Sequence, residues 1–232
     1  MTLTSGKGPL TAAPAGRFVP AIPQPVVYVE PFRRRVRGVA GGEVVVDCEA
    51  VVLVHRPGGP PEYAFPAEAV SCACSAVPEL EGYVAVAWDD ADEWWEEEQR
   101  VFLHPRNPYH RVDCVPTRRR LRVEVAGVVV VDTCETVGVY ETSLEPLLYV
   151  SPSRLRDCEL VASSKTTYCP YKGTATYWDA HAGGRVVAEA AWSYEDPLPE
   201  AEAVRGLVCF DGARVGVEAE IPRPAVPPVR QS

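Results

Sequence analysis

The stretch RRRVRGVAGGEVVVD, Arg33 to Asp47, returns as RRRLRVEVAGVVVVD, Arg118 to Asp132, 85 positions later. A repeat at this spacing constrains architecture before any local propensity does, because each copy has to be one folding unit. The repeated unit is β. In both copies short β-branched runs flank a glycine-containing turn, the pattern of a hairpin. Pro66 and Pro152 continue the match, and Leu80 to Val86 (LEGYVAV) aligns with Val204 to Phe210 (VRGLVCF), pairing Gly82 with Gly206 at a spacing of 124. The longer spacing means that the second copy carries about 38 residues that the first lacks, among them TYCPYKG, Thr167 to Gly173. Chemistry that needs this segment can sit only in the second copy.

Outward from the repeat, the chain divides into an N-terminal arm (residues 1–31), a shortened first β domain (32–102), an ordered bridge (103–117), a complete second β domain (118–221) and a Pro-rich tail (222–232). The arm is rich in Gly, Pro, Ala and Thr without periodicity, which suits a mobile or draped segment. Further strands are expected at Val51 to His55, Val84 to Trp88, Val137 to Glu141 and Leu207 to Phe210. A hairpin exclusive to the second copy is expected from Thr174 to His181 through Gly183-Gly184 to Glu189. The fold class is therefore mainly β, two tandem small antiparallel domains with little helix. Two helical pieces are expected: Pro199 to Val204, with proline first and glycine after, and the acidic run Asp89 to Gln99.

The formal net charge of −9 argues against a phosphate-backbone partner. The arginine clusters Arg33 to Arg35 and Arg118 to Arg120 recur at one point of each repeat, as solvated strand-edge residues do. No apolar run approaches the ~20 residues of a membrane span, and no signal segment opens the chain. The expectation is a cytoplasmic protein whose eight cysteines are thiols. Cys72 and Cys74 are the closest cysteine pair, there is no C-x-x-C, and His104, His110 and Cys114 lack a zinc spacing, so no metal site is expected. Asp90 and Asp92 share the spacing of a magnesium-holding carboxylate pair, but they stand in a long acidic run that reads as a solvated face. Phosphate-loop, dinucleotide and nucleophile-elbow motifs are absent. No cofactor can be named.

The candidate site is the insert, Lys165 to Trp178. Cys169 and Lys172 stand three apart in a loop stiffened by Pro170, with Gly173 permitting a tight turn. Only three lysines accompany twenty arginines, and Tyr171, Tyr177 and Trp178 flank Lys172 like a pocket wall. The thiol and ammonium suit a nucleophile with an electrostatic helper, or an anion site. The bland alternative is a buried thiol beside a surface lysine. Glu141 closes an expected strand, and Arg56 replaces it in the first copy. It is a candidate general acid–base or partner for Lys172.

These residues resemble a known family, the domain of unknown function 427, also labelled nucleotidyltransferase-like. The resemblance is carried by Tyr140-Glu141-Thr142, Tyr149, Cys169-Pro170-Tyr171-Lys172-Gly173, Tyr177-Trp178, Ala191-Trp192-Ser193-Tyr194 with Pro197, and the bridge from His104 to Asp113. It implies a compact β-rich fold, two per chain, similar in outline to β-tent domains such as methionine sulfoxide reductase B. It implies no established reaction.

Three functions follow as expectations. The first is a small-molecule pocket in the second domain, binding or turning over an anionic or carbonyl-bearing ligand. Glu141, Cys169 and Lys172 would carry its chemistry, with Tyr140, Tyr149, Tyr171, Tyr177, Trp178, Trp192 and Tyr194 as the lining. The second is a bilobed interaction scaffold that meets a protein through the acidic, Trp-rich stretch Asp92 to Glu98. The third is a nucleotidyltransferase using Asp90 and Asp92. The first copy is expected to supply stability and no site, and loss of both Lys172 and Glu141 to leave the melting temperature nearly unchanged.

Overall fold

A computed structural model describes residues 3–223, so the tail from residue 224 on lies outside it. The chain forms two compact units that divide between His110 and Arg111.

In the first unit the strands are β1 (Tyr28–Phe32), β2 (Val36–Ala40), β3 (Glu43–Cys48), β4 (Val51–His55), β5 (Glu62–Pro66), β6 (Ser75–Ala76), β7 (Tyr83–Ala85), β8 (Glu93–Glu96) and β9 (Gln99–Val101). They make two antiparallel sheets, β1-β4-β5-β7-β6 and β3-β2-β8-β9. The second unit contains β10 (Val112–Thr117), β11 (Leu121–Val125), β12 (Val128–Thr133), β13 (Thr136–Glu141), β14 (Leu147–Tyr149), β15 (Cys158–Cys169), β16 (Gly173–Ala182), β17 (Arg185–Ser193), β18 (Val208–Phe210) and β19 (Gly216–Ala219). Their sheets are β10-β13-β14, β12-β11-β19 and β15-β16-β17-β18. A bridge between Val150 and Val208 joins the first of these to the last.

The sequence repeat is a repeat of pairings. The register of β2 on β3 slips between Gly38 and Val39, and that of β11 on β12 slips at the equivalent Val123 and Glu124. A bulge kept at one place in two copies is a designed feature of the hairpin. Behind it, the Arg35 guanidinium grips Asp47 with two bonds of 2.6 Å, and Arg120 grips Asp132 with two of 2.7 Å. Gly41-Gly42 and Ala126-Gly127 make the turns with all four φ positive, as the two-residue hairpin requires. The arginine clusters thus clamp strand edges.

The copies differ in what covers the core. In the second unit β15, β16 and most of β17 are the additional residues, and Leu160, Trp178, Ala180, Ala182, Val187 and Ala190 from them pack on Leu121, Val123 and Val131. The first unit has no such strands. Its core is an aromatic lattice of Phe32, Tyr63, Phe65, Trp88 and Trp94, with Trp94 stacked on Phe65 at 4° and on Trp88 at 23°.

Strands β1 and β10 depart from the sequence expectation by beginning within the expected arm and bridge. The acidic run departs from it too, and the aromatic lattice explains why. The run Asp89 to Gln99 is not a helix: a 3-10 turn at Trp88–Asp90 leads into β8, and β9 follows. Trp94 and Glu96 point inward while Trp95 and Glu97 point out, a period of two. Trp94 pairs across from Gly38, whose missing side chain leaves room for the indole; a Cβ there would lie 3.0 Å from the ring. Burial of one indole outweighs the helix preference of several solvated acids. The Pro199–Val204 turn is helical as expected, in 3-10 form. No helix among the described residues is long and apolar enough to cross a membrane, and all eight cysteines are free.

Two outcomes follow. Trp94→Ala should destabilise the first unit by about 3–5 kcal/mol, against about 1 kcal/mol or less for half-exposed Trp95→Ala, in chemical denaturation. His55 has no exposed surface, and burial pushes its pKa down despite the Glu30 carboxylate 2.9 Å from Nε2. Its neutral form therefore contributes stability that is complete above the unfolded value of about 6.5 and is lost as pH falls through the lower folded value. Half-buried His104 is shifted in the same direction. The melting temperature should fall between pH 7 and pH 5, less steeply in His55→Gln; a flat wild-type profile contradicts this.

Candidate functional site

The CPYKG segment is the turn of a hairpin. Cys169 pairs with Gly173 across it, leaving Pro170, Tyr171 and Lys172 as a three-residue loop. Gly173 has φ +94°, a left-handed conformation that favours glycine, and a Cβ there would just touch the Asp196 carbonyl oxygen at 3.4 Å. The backbone N–H of Leu198 donates to the Lys172 carbonyl at 3.0 Å and pins the loop. Tyr171 and Lys172 turn inward and are 6% and 8% exposed.

Glu141 is the last residue of β13, on the same face as Val137 and Val139. Its carboxylate accepts a hydrogen bond from the Lys172 ammonium, forming a salt bridge whose side chains are 9% and 10% exposed. The pair stands at the border of a second core of this unit, built from Val112, Val139, Tyr149, Tyr171, Tyr194 and Cys209, with Cys114, Cys169, Tyr177 and Trp192 packed around it. Tyr149 is 1% exposed and accepts a bond from the Trp192 indole at 2.9 Å. Burial pushes the Tyr149 and Tyr194 hydroxyls well above the usual range, so both act as neutral hydrogen-bonding groups.

Glu141, Lys172, Cys169, Tyr149, Tyr171, Tyr177, Trp192 and Tyr194 therefore meet at one cluster. Two expected members do not. Trp178 follows Tyr177 on β16 and so points to the opposite face, where it packs on the larger core and donates to Ser193 at 2.7 Å. Tyr140 alternates with Glu141 and lays its ring over Gly138, whose Cβ would stand 2.8 Å from it.

The structure adds two thiols that the sequence did not single out. Cys114 on β10 and Cys209 on β18 both lie in the field of the Lys172 ammonium, which lowers their pKa values, but burial is the larger effect and raises both. Neither shows in the sequence, because Cys114 looks like a bridge residue and Cys209 like a strand hydrophobe. Lys165 was also passed over. It sits 4.2 Å from the Tyr177 ring centroid and 2.9 Å from Glu189.

A cleft of about 790 Å³ opens in this unit at Thr117, Arg118, Thr136, Val137 and Leu207, with Tyr149 in its lining. Its Thr136 lies at the start of β13, five residues and roughly 16 Å of strand from Glu141, while Tyr149 borders both the cleft and the cluster. No group of three or more potential metal ligands exists among the described residues. Asp92 is occupied as acceptor of the Gly41 N–H at 2.7 Å, and Asp90 sits in the 3-10 turn beside it.

The model of a protein family described as "Domain of unknown function (DUF427)" matches residues 113–221. The second unit belongs to that family. No curated protein matches the chain. The DUF427 match begins in β10 and ends just after β19, so it takes in Cys114, Glu141, Tyr149, Cys169, Lys172, Trp192 and Tyr194 together.

Burial changes the expected effect of substitution in this DUF427 domain. Lys172→Met alone strands a buried carboxylate and should cost about 3 kcal/mol. Lys172→Met with Glu141→Leu removes both charges and should recover most of that loss. Equilibrium denaturation of the single and double variants measures the difference; equal loss in both would mean that the pair is not energetically coupled.

Proposed function

We propose that the second unit binds a small molecule at the Lys172–Glu141 pair, through an oxygen of a carbonyl or an anionic group. The observation that carries this reading is that the fold does not need the pair. The first unit keeps the same β framework while placing Arg56 where the second has Glu141. Arg56 is solvated and paired with Glu62 and Glu79. A nearly buried ion pair is a poor stabiliser, because the desolvation of two charges offsets their attraction. Its presence in one copy alone therefore points to use.

The ammonium has three N–H donors, and among the described residues Glu141 is the acceptor it meets. The remaining donors are suited to a ligand oxygen, which they would polarise, and Glu141 is placed to take up or return a proton beside it. Tyr149 and Tyr194 supply neutral hydroxyls, and Tyr171 adds a buried ring. The first unit is, in this reading, a shortened copy of the same domain that lacks the hairpin bearing Lys172.

The acidic Trp-rich stretch gives the scaffold alternative little to present, since Trp94 and Glu96 are turned into the core. The nucleotidyltransferase alternative has its two aspartates in a turn of the first unit, with Asp92 already engaged.

A thermal-shift screen of carboxylates, phosphates and carbonyl compounds tests the proposal. A ligand at ~100 Kd should add about 2.7 kcal/mol of stability to the wild-type chain. The folded Lys172→Met/Glu141→Leu variant should lose that shift, and His55→Ala should keep it if it folds. A ligand that stabilises wild type and the double variant equally places the site elsewhere.

A further inference from the structure

The segment missing from the first unit leaves a bare sheet edge and a cavity, and the second unit shows what normally fills that place. Phe65 pairs with Val84, and the equivalent Val150 bridges Val208, so Val84 to Ala87 correspond to Val208 to Asp211. The following turns agree: Asp90 N–H bonds the Ala87 carbonyl, and Arg214 N–H bonds the Asp211 carbonyl. In the second unit β17 covers this edge, with Ser193, Trp192 and Ala191 opposite Val208, Cys209 and Phe210. Asp211 N–H then donates to the Ala190 carbonyl at 2.8 Å. In the first unit the strand in that place is β6, two residues long, which pairs with Val84 and Ala85 and stops.

Val86 and Ala87 consequently line a cavity of about 390 Å³ walled by Pro60, Tyr63, Trp88, Trp94, Leu103 and Pro105. Ala87 is exposed at the mouth of this cavity, and its N–H, counterpart of the Asp211 donor, has no protein acceptor among the described residues. Leu103 holds the wall with φ +71°, a conformation rare for leucine. A half-open cleft of this size, walled mainly by rings and prolines, has the character of a ligand site.

We propose that this cavity of the first unit is a second binding site, for a small, flat, uncharged ring compound whose acceptor atom meets the Ala87 N–H. Three features set that chemistry. The walls are rings and prolines, and Trp88, covered by Trp94 on one side only, turns its other flank to the space beside Tyr63, which favours a planar guest. Of the ionisable lining residues, Glu62 is neutralised by Arg56 and His104 is held neutral by burial, with Nδ1 2.7 Å from the Pro105 carbonyl. No arginine or lysine stands among the described lining residues to hold an anion. A peptide strand is disfavoured because the open edge is two residues long and ends in the Trp88–Asp90 turn. Prolines on the facing wall cannot extend a ladder.

The probes are 2-quinolone, a neutral bicycle with one carbonyl acceptor, and naphthalene, of like shape without it. Saturation-transfer NMR and calorimetry on the full chain should show 2-quinolone binding once per chain. Naphthalene should bind about three- to tenfold more weakly, the usual worth of one hydrogen bond. Ala87 has φ −61°, which proline adopts without strain, so Ala87→Pro deletes the donor and keeps the backbone. It should lower 2-quinolone to the naphthalene level and leave naphthalene unchanged. Lys172→Met/Glu141→Leu should bind 2-quinolone as wild type does, which separates this site from the one proposed above. Failure of both probes to bind wild type overturns the pocket. Equal binding of 2-quinolone to wild type and folded Ala87→Pro overturns the donor. If that variant does not fold, equal affinity of the two probes for wild type overturns it instead. Tighter binding of quinoline-2-carboxylate than of 2-quinolone overturns the neutral ligand class.

Discussion

Strand β18 presents backbone donors and acceptors on both edges; β14 answers one through Val150 and Val208, and β17 answers the other. Its counterpart β7 has the same first neighbour and only two residues of β6 for the second. An uncovered edge and an uncovered core face are the same shortage, since a strand laid on the edge brings its inward side chains with it. The second unit meets the shortage with the β15–β17 hairpin system, and the first with indole and phenol rings.

Each solution carries its own consequence for chemistry. The hairpin system ends in a three-residue turn that Gly173 and the Leu198 bond hold inward, and this brings Lys172 to Glu141. The ion pair is thus a product of the added strands, positioned on rigid elements rather than on a loose loop. Rings fill the core of the first unit but leave the β7 edge with only two residues of β6 as partner. What remains in the first unit is a half-open cleft beside the end of β7.

Much of this was legible in the residues. The 85-residue repeat, its bulged hairpins and the position of the insert follow from β-branched runs, turn glycines and spacing, which are local signals. Glu141 beside Lys172 was legible too, because the segment that holds the lysine and the strand end that holds the acid are both missing or replaced in the first copy. Other residues needed three dimensions. Trp178 and Tyr140 look like site residues next to Tyr177 and Glu141, yet strand alternation turns each to the other face. Cys114 and Cys209 carry no motif, and only packing brings them into the field of Lys172.

The sequence by itself determined a mainly β chain, a hairpin pattern that returns 85 residues later, and the segment that its first occurrence lacks. Tertiary structure alone decided whether an acidic run with two tryptophans is helix or strand. The indole of Trp94 could be buried only against Gly38 on a neighbouring strand, and no local pattern contains that neighbour. Tertiary structure alone also decided that the shortened half keeps a cavity. A deletion is visible in a sequence, but the space it leaves depends on which side chains elsewhere in the chain move in to occupy it.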